Sequence, residues 1–381
     1  MAVDGSARSF LLGDWALTAD VVIVGGGIVG AACARGFLRE GLSVCIVERD
    51  LVGGGATAAG MGHVVVMDDS EAQFALTRRS RDLWDSLSAE LPAEVEFERR
   101  GTLWVAADEE ELQAVADKKA YYESRCVAAE LLDAAGLYAE EPGLRHGMAG
   151  GFLVPGDSVI YAPCAAKWLS HGASILRDEV VSMEDGALRL RSGTRLEAGA
   201  MICAMGTWAV ELFPALPVKP RKGHLAITER YPGAVRHQLI ELGYLKTAHS
   251  HGPESVAFNV QPRATGQLLI GSSRQFGVVD SGVEKHIVER MLDRAVAYLP
   301  ALAGMKILRL WTGFRAASPD HLPIVGRCPG MARTYLATGH EGLGITTSLG
   351  TAELLVDAVM GRAGILSPEA YSAERFAECR V

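Results

Sequence analysis

The sequence predicts an α/β fold: a Rossmann-like nucleotide-binding domain interrupted by an α+β substrate domain built on an antiparallel sheet. Three observations predict it. An apolar strand at 21–24 runs directly into glycines and then a helix. The same strand–glycine–helix order returns near the other end, where 335–338 leads into Gly339, Gly342 and Gly344 and a helix over about 345–360. Between them, 219–309 changes character to strands, a Gly266 turn and one helix over 284–299. With 381 residues the chain is long enough for two domains. We expect 18–95, 145–218 and 310–381 to form the nucleotide domain, and 96–144 and 219–309 the substrate domain.

The elements follow in order. Residues 28–40 read as a helix with small residues on its near face, stopped by Gly41. Residues 43–47 are a second uninterrupted apolar strand of the parallel, doubly covered type, completing a βαβ unit. A helix over about 70–87 carries Phe74, Leu76, Leu83 and Leu87. Strand is expected over 96–106 and a polar helix over 108–123. The stretch 144–166 begins as strand, turns at Pro155-Gly156-Asp157 and ends as helix. Residues 174–196 read as a meander with hairpin turns at Asp185-Gly186 and Ser192-Gly193, and 201–204 as a buried strand closing near Gly206.

Composition excludes some functions. A net charge of −9 with no basic run argues against a nucleic-acid partner. Seven scattered cysteines without a Cys-x-x-Cys suggest reduced thiols in a cytoplasmic protein. They also argue against a metal site or iron–sulfur cluster held by this chain alone. Residues 1–20 lack the pattern of a secretory signal, and the apolar run at 21–33 is too short and glycine-rich to span a bilayer. A peripheral membrane location through partners stays open.

Gly25-Gly26-Gly27-Ile28-Val29-Gly30 fits Gly-x-Gly-x-x-Gly. Gly25 permits the tight turn, Gly27 lets backbone approach a pyrophosphate, and Gly30 lets the helix pack on the strand. The helix start at Ile28 and Val29 supplies unpaired N–H groups. Glu48 ends the second strand where an acid should receive a ribose hydroxyl, which argues against NADP. Arg49 and the run of tiny residues over 53–62, including Gly55, Ala56, Thr57, Gly60, Met61 and Gly62, extend this surface. A simple NAD dehydrogenase has no use for such a run. A flavin does, because its pyrophosphate and flat ring need backbone free of side chains.

With these motifs the chain resembles the D-amino acid oxidase-type FAD-dependent superfamily, which includes glycine oxidase and sarcosine oxidase. The resemblance extends to Ala204-Met205-Gly206-Thr207-Trp208, Trp311-Thr312-Gly313-Phe314-Arg315, Ser318-Pro319-Asp320 and Gly339-His340-Glu341-Gly342-Leu343-Gly344-Ile345. It implies FAD as cofactor, with Val180 at the adenine, Gly206 and Trp208 near the adenosine, and Gly313 in the motif ahead of Arg315. It also implies that Gly342, Leu343, Gly344 and Ile345 present a helix N-terminus to the flavin pyrimidine, where negative charge gathers on reduction. His340 either adds to that stabilisation or is a helix-start histidine bonded locally. Arg315 matches the arginine that clamps a substrate carboxylate, a task suited to a planar guanidinium. The alternative is an interdomain salt bridge.

Tyr244 falls where relatives place a tyrosine near that carboxylate, or is a core tyrosine. His63 would line the substrate face of the ring. His224 is a further candidate, whereas Lys246, His249 and His251 read as surface residues. Glycine oxidase-like chains often carry an arginine after Gly-His; here Glu341-Gly342 follows. The segments at 60–69 and 339–342 most resemble FAD subunits of multi-component dehydrogenases, the group of D-hydroxyproline dehydrogenase β, opine oxidase B and hydrogen cyanide synthase C subunits. The expected reaction is hydride removal from the carbon beside nitrogen in a small amino or imino acid. Electrons would then pass to partner subunits carrying iron–sulfur centres and a second flavin or nucleotide. The alternatives are a stand-alone glycine, sarcosine or D-amino acid oxidase making hydrogen peroxide, and a non-catalytic FAD scaffold.

Overall fold

The structure is a computed structural model, which describes residues 18–243 and 254–376. Tyr244, Lys246, His249 and His251 lie outside the described residues.

Two eight-stranded sheets organise the chain. The first is parallel at its centre, with Thr18–Val24 between Val44–Glu48 and Arg195–Cys203. Ser174–Arg177 extends one side, and Thr334–Thr338 the other. Residues 21–24 and 44–47 are buried, as strands covered on both faces must be. The helix Ile28–Arg39 covers one face and packs against the last helix, Gly344–Met360. Their approach is close enough that a Cβ on Gly36 would lie 2.9 Å from Val356 Cγ2. The meander expected over 174–196 forms only from Val180, with turns at 185–186 and 191–194; Ser174–Arg177 pairs parallel with Val44–Glu48 instead, and the last strand of the meander is continuous with 201–203.

The second sheet runs Ile307–Ala317, Lys219–Arg230, Gln267–Phe276, Glu254–Pro262, Gln238–Glu241, Thr102–Ala106, Gly150–Val154 and Glu130–Asp133. It is antiparallel except where Gln238–Glu241 pairs with Thr102–Ala106. Gly150–Val154 and much of Ile307–Ala317 belong to this sheet, although they fall in segments expected with the first. The strand expected over 96–106 starts only at Thr102, because Glu96 takes a left-handed conformation, φ 50°, after a short helical turn. The strand expected from 144 begins at Gly150. The helix Glu71–Leu87 is started by Ser70, whose hydroxyl accepts from Gln73 N at 3.1 Å, and Glu109–Ser124 by Asp108 in the same way. Among the described residues no helix is long and apolar enough to cross a membrane.

The turn at 155–157 carries more than a change of direction. Asp157 is buried, accepting from Thr102 Oγ1 at 2.7 Å and from Arg81 Nη1 and Val66 N at 3.2 Å each. Burial outweighs these donors and raises its carboxyl to about 6. The residue thereby ties the helix Glu71–Leu87 to both the second sheet and the segment beneath the glycine run.

Candidate functional site

The ends of the central parallel strands open into a cavity of about 570 Å³ that runs from the nucleotide loop to the face of the second sheet. At the nucleotide loop, Gly25 has φ +105°, and a Cβ there would stand 2.5 Å from Ala204 O. Only glycine fits. A Cβ on Gly30 would overlap Gly25 O, so Gly30 shapes the loop from behind and does not line the cavity. Gly27, Ile28 and Val29 do line it. Gly27 caps the helix without a side-chain acceptor. Thr57 reaches across so that its Oγ1 accepts from Ile28 N at 2.9 Å. Glu48 lies at the strand end, its carboxylate accepting from Gly26 N at 2.6 Å and Asp50 N at 2.8 Å.

The tiny-residue run is ordered rather than linker-like, since Gly55–Ala59 forms a helical turn. Gly55, Ala56, Thr57, Gly60, Met61 and Gly62 all line the cavity. A Cβ on Gly62, at φ +96°, would overlap Ile160 O, and one on Gly313 would overlap Ala59 Cβ. Around the nucleotide end stand Arg49, Val180, Gly206 and Trp208, with the Arg49 guanidinium 5.2 Å from the Trp208 ring. Gly206, at φ +56°, leaves open space where a Cβ would be. At the other end, Gly342, Leu343, Gly344 and Ile345 bring the start of the last helix to the cavity, again with no side-chain cap.

A carrier of both a pyrophosphate and a flat ring fits these residues. Two helix starts whose N-cap residues provide no side-chain acceptor face one cavity, and they are joined by a wall from which side chains are sterically excluded. Gly25, Gly27, Ile28 and Glu48 would hold the nucleotide half of FAD, and the 55–62 and 342–345 segments the flavin half.

His340 and His63 lie at this second end. Burial lowers His340 to about 4, so it is neutral near pH 7 and brings no positive charge to the site. Its Nε2 stands 3.1 Å from Thr351 Oγ1, which favours the local-bonding alternative. His63 is likewise held at about 4 by burial, opposed by hydrogen bonding with Gln261 and reinforced by the Arg315 charge. Its Nε2 is buried without a hydrogen-bond partner. Its backbone is pinned to the last helix, His63 O accepting from Thr346 Oγ1 at 2.8 Å.

Arg315 lines the cavity from the edge strand Ile307–Ala317. Its side chain runs over two glycines: a Cβ on Gly223 would be 2.5 Å from Arg315 Nη1, and one on Gly342 3.2 Å from Arg315 Cδ. Nη1 donates to Ser273 O at 3.0 Å. His224 is fully buried and does not line the cavity; its ring lies between Ser273 Oγ, 3.0 Å from Nδ1, and Glu284 N, 3.1 Å from Nε2. It braces the strand that carries Ser273. Sequence reading missed a second tier of lining residues, among them Arg221, Arg274, Asn259, Trp104, His321 and Glu341. Strand register brings in Arg221, Arg274, Asn259 and Trp104, which no local motif marks, whereas His321 and Glu341 arrive on loops, and Glu341 alone stood in a recognised motif, without a role.

Comparison with known proteins shows the family. The family model for FAD-dependent oxidoreductases of the DAO type matches residues 20–358. The bifunctional protein ThiO/ThiG of Nostoc is 29% identical over 90% of this chain, which spans about half (53%) of that protein's length. The hydrogen cyanide synthase subunit HcnC of Pseudomonas protegens is 28% identical, over 95% of this chain and 97% of HcnC. The crystal structure of glycine oxidase from Geobacillus kaustophilus superposes with a TM-score of 0.85 at 25% identity, covering 94% of this chain and 99% of that one. The chain belongs to the DAO family of FAD-dependent oxidoreductases.

Proposed function

We propose that the protein oxidises the C–N bond of a small amino or imino acid, of the D-hydroxyproline or D-proline type. It would act as the FAD subunit of a multi-component dehydrogenase. One observation carries the substrate class: a guanidinium, that of Arg315, is laid over Gly223 and Gly342 beside the start of the last helix. A planar cation held there offers two parallel hydrogen bonds to a carboxylate and fixes one orientation of the molecule bearing it. The glycine-lined wall excludes side chains from the opposite side. His63, neutral and with an unpartnered ring nitrogen, can accept or donate a hydrogen bond without competing with the amine for charge. Bound FAD supplies the two-electron acceptor for the hydride. In this reading 18–95, 145–218 and 310–381 mainly serve the cofactor, and 96–144 and 219–309 the substrate, with His63 and Arg315 reaching the substrate from the cofactor segments and 150–154 and 307–317 joining the second sheet.

The subunit role rests on the likeness to HcnC, itself a synthase subunit, and the electrons would leave through partner chains with iron–sulfur centres and a second flavin or nucleotide. Dispersed free thiols, such as the buried Cys33, Cys45 and Cys203, suit a cytoplasmic setting. The likeness to glycine oxidase favours a second reading, a stand-alone oxidase producing hydrogen peroxide.

Anaerobic mixing of the yellow protein with D-hydroxyproline, D-proline, glycine or sarcosine tests both. Bleaching by the cyclic imino acids with slow oxygen uptake in air supports the dehydrogenase. Rapid peroxide formation with glycine would replace it with the oxidase. Arg315→Ala should abolish bleaching, and bleaching at the wild-type rate in that variant sinks the clamp.

A further inference from the structure

Arg315 has a cationic neighbour fixed by strand register. Strands Lys219–Arg230 and Ile307–Ala317 are antiparallel, with Arg221 directly opposite Arg315 and Gly223 opposite Gly313. Residues two apart along a strand share a face, so both arginines and both glycines look into the same cavity, and all four line it. Like charges facing each other across a strand pair repel, and here the Arg221 side chain is 6% exposed. Bulk water therefore does little to screen it.

The compensating charge comes from elsewhere. Glu341, between His340 and the helix start, pairs with Arg221 through Oε1 and accepts from His321 Nδ1 through Oε2 at 2.7 Å. Its side chain is 8% exposed. Both Glu341 (φ 44°) and His321 (φ 62°) hold left-handed backbone, which is unfavourable for residues with a side chain. Two of the four such residues among the described ones thus meet in a single contact at the cavity wall. Glu341 N also donates to Ala316 O at 2.9 Å, which fixes its loop beside Arg315.

We propose that Glu341 determines the charge class of the substrate. It cancels Arg221, so that beside the Arg315 clamp Arg221 adds no binding charge for the second carboxylate of a dicarboxylic amino acid. This rests on the carboxylate clamp of the preceding section. Arg274 lines the same cavity and is retained in each of the variants that test the proposal.

Acetate and malonate, titrated into the FAD-loaded protein and followed by perturbation of the flavin spectrum, give the test as a ratio of dissociation constants. In Glu341→Gln, Arg221 loses this carboxylate, and preference for malonate over acetate should rise by about tenfold or more, as expected for a unit charge a few ångströms away in a partly dry cleft. In Glu341→Gln with Arg221→Gln the ratio should return to that of the wild type, an outcome that a purely structural role for the pair would not produce. A ratio unmoved in the single variant, or raised equally in the double, overturns the proposal.

Should Glu341→Gln not fold, Arg221→Gln supplies the reverse test. Glu341 then lacks its arginine and stands as an anion beside Arg315, and acetate binding should weaken by about tenfold and recover in the double variant. Unchanged acetate affinity in Arg221→Gln overturns the inference. Arg315→Ala separates the two levels. Acetate binding lost there, with ratios flat elsewhere, refutes the role of Glu341 and leaves the clamp standing. Binding that persists in Arg315→Ala removes the clamp, and this inference with it.

Discussion

Replacing His340 with glutamine should flatten the acid side of the stability profile. The folded protein holds this imidazole at about 4 through burial, against an ordinary value of 6.5. A base whose value is depressed on folding contributes stability that is fully present above its unfolded value. That stability is lost as the pH falls through the window between the two values, here 6.5 down to about 4. One unit corresponds to about 1.4 kcal/mol, so the whole window holds about 3 kcal/mol, of which about 2 kcal/mol is lost between roughly pH 7 and pH 5. Glutamine is polar and can meet Thr351 Oγ1, the present partner of Nε2, but does not titrate. Urea unfolding of the FAD-loaded proteins at matched free FAD, measured at several pH values, gives the comparison. The wild type should lose about 2 kcal/mol more than the variant over that interval. Carboxylate protonation is common to both proteins and cancels in the difference. Parallel curves, agreeing within about 0.5 kcal/mol, would mean that His340 is already protonated or solvated in the folded state, and the neutral assignment would fail.

Two substitutions probe the nucleotide loop. Gly25→Ala forces a Cβ to within 2.5 Å of Ala204 O at φ +105°, and strain plus overlap should cost about 2–6 kcal/mol. The purified variant should emerge largely colourless with a lowered melting temperature, and full FAD content at an unchanged melting temperature refutes the cradle. Thr57→Val removes the acceptor of Ile28 N, a buried donor, and should destabilise the FAD-free protein by about 1–3 kcal/mol. An unfolding midpoint that does not move shows the bond to be dispensable.

What the sequence made legible is what depends on short-range geometry. Gly25, Gly27 and Gly30 stand at fixed offsets because one turn between a strand and a helix dictates them, and Glu48 follows because the next strand must end beside that turn. Patterns of buried apolar residues likewise place 21–24, 43–47 and 335–338 as strands, the first inside the observed Thr18–Val24 and the others within a residue of Val44–Glu48 and Thr334–Thr338. Where local pattern and tertiary demand part, the reading slips. Residues 96–101 carry strand-like text, yet the chain turns left-handed at Glu96, whose carboxylate is held by Arg263 through bonds of 2.6 and 3.1 Å. That partner is 167 residues away and leaves no trace in the local pattern.

The site divides along the same line. The cofactor half can be read because backbone conformation requires glycine, and glycine is visible in any sequence. The substrate half is written in register. Arg221 became a cavity-wall residue only when Lys219–Arg230 paired with Ile307–Ala317 in the one alignment that sets it opposite Arg315. A slip of one residue would turn both its apolar and its charged positions to the other face. Glu341 was visible in the sequence as a departure from an expected arginine, but not as the partner of an arginine 120 residues upstream. Resemblance alone weakens an assignment at that position, whereas the geometry supplies a reason for the change. Where a neighbouring strand already provides a buried cation, an acid in the loop is the residue that neutralises it beside Arg315.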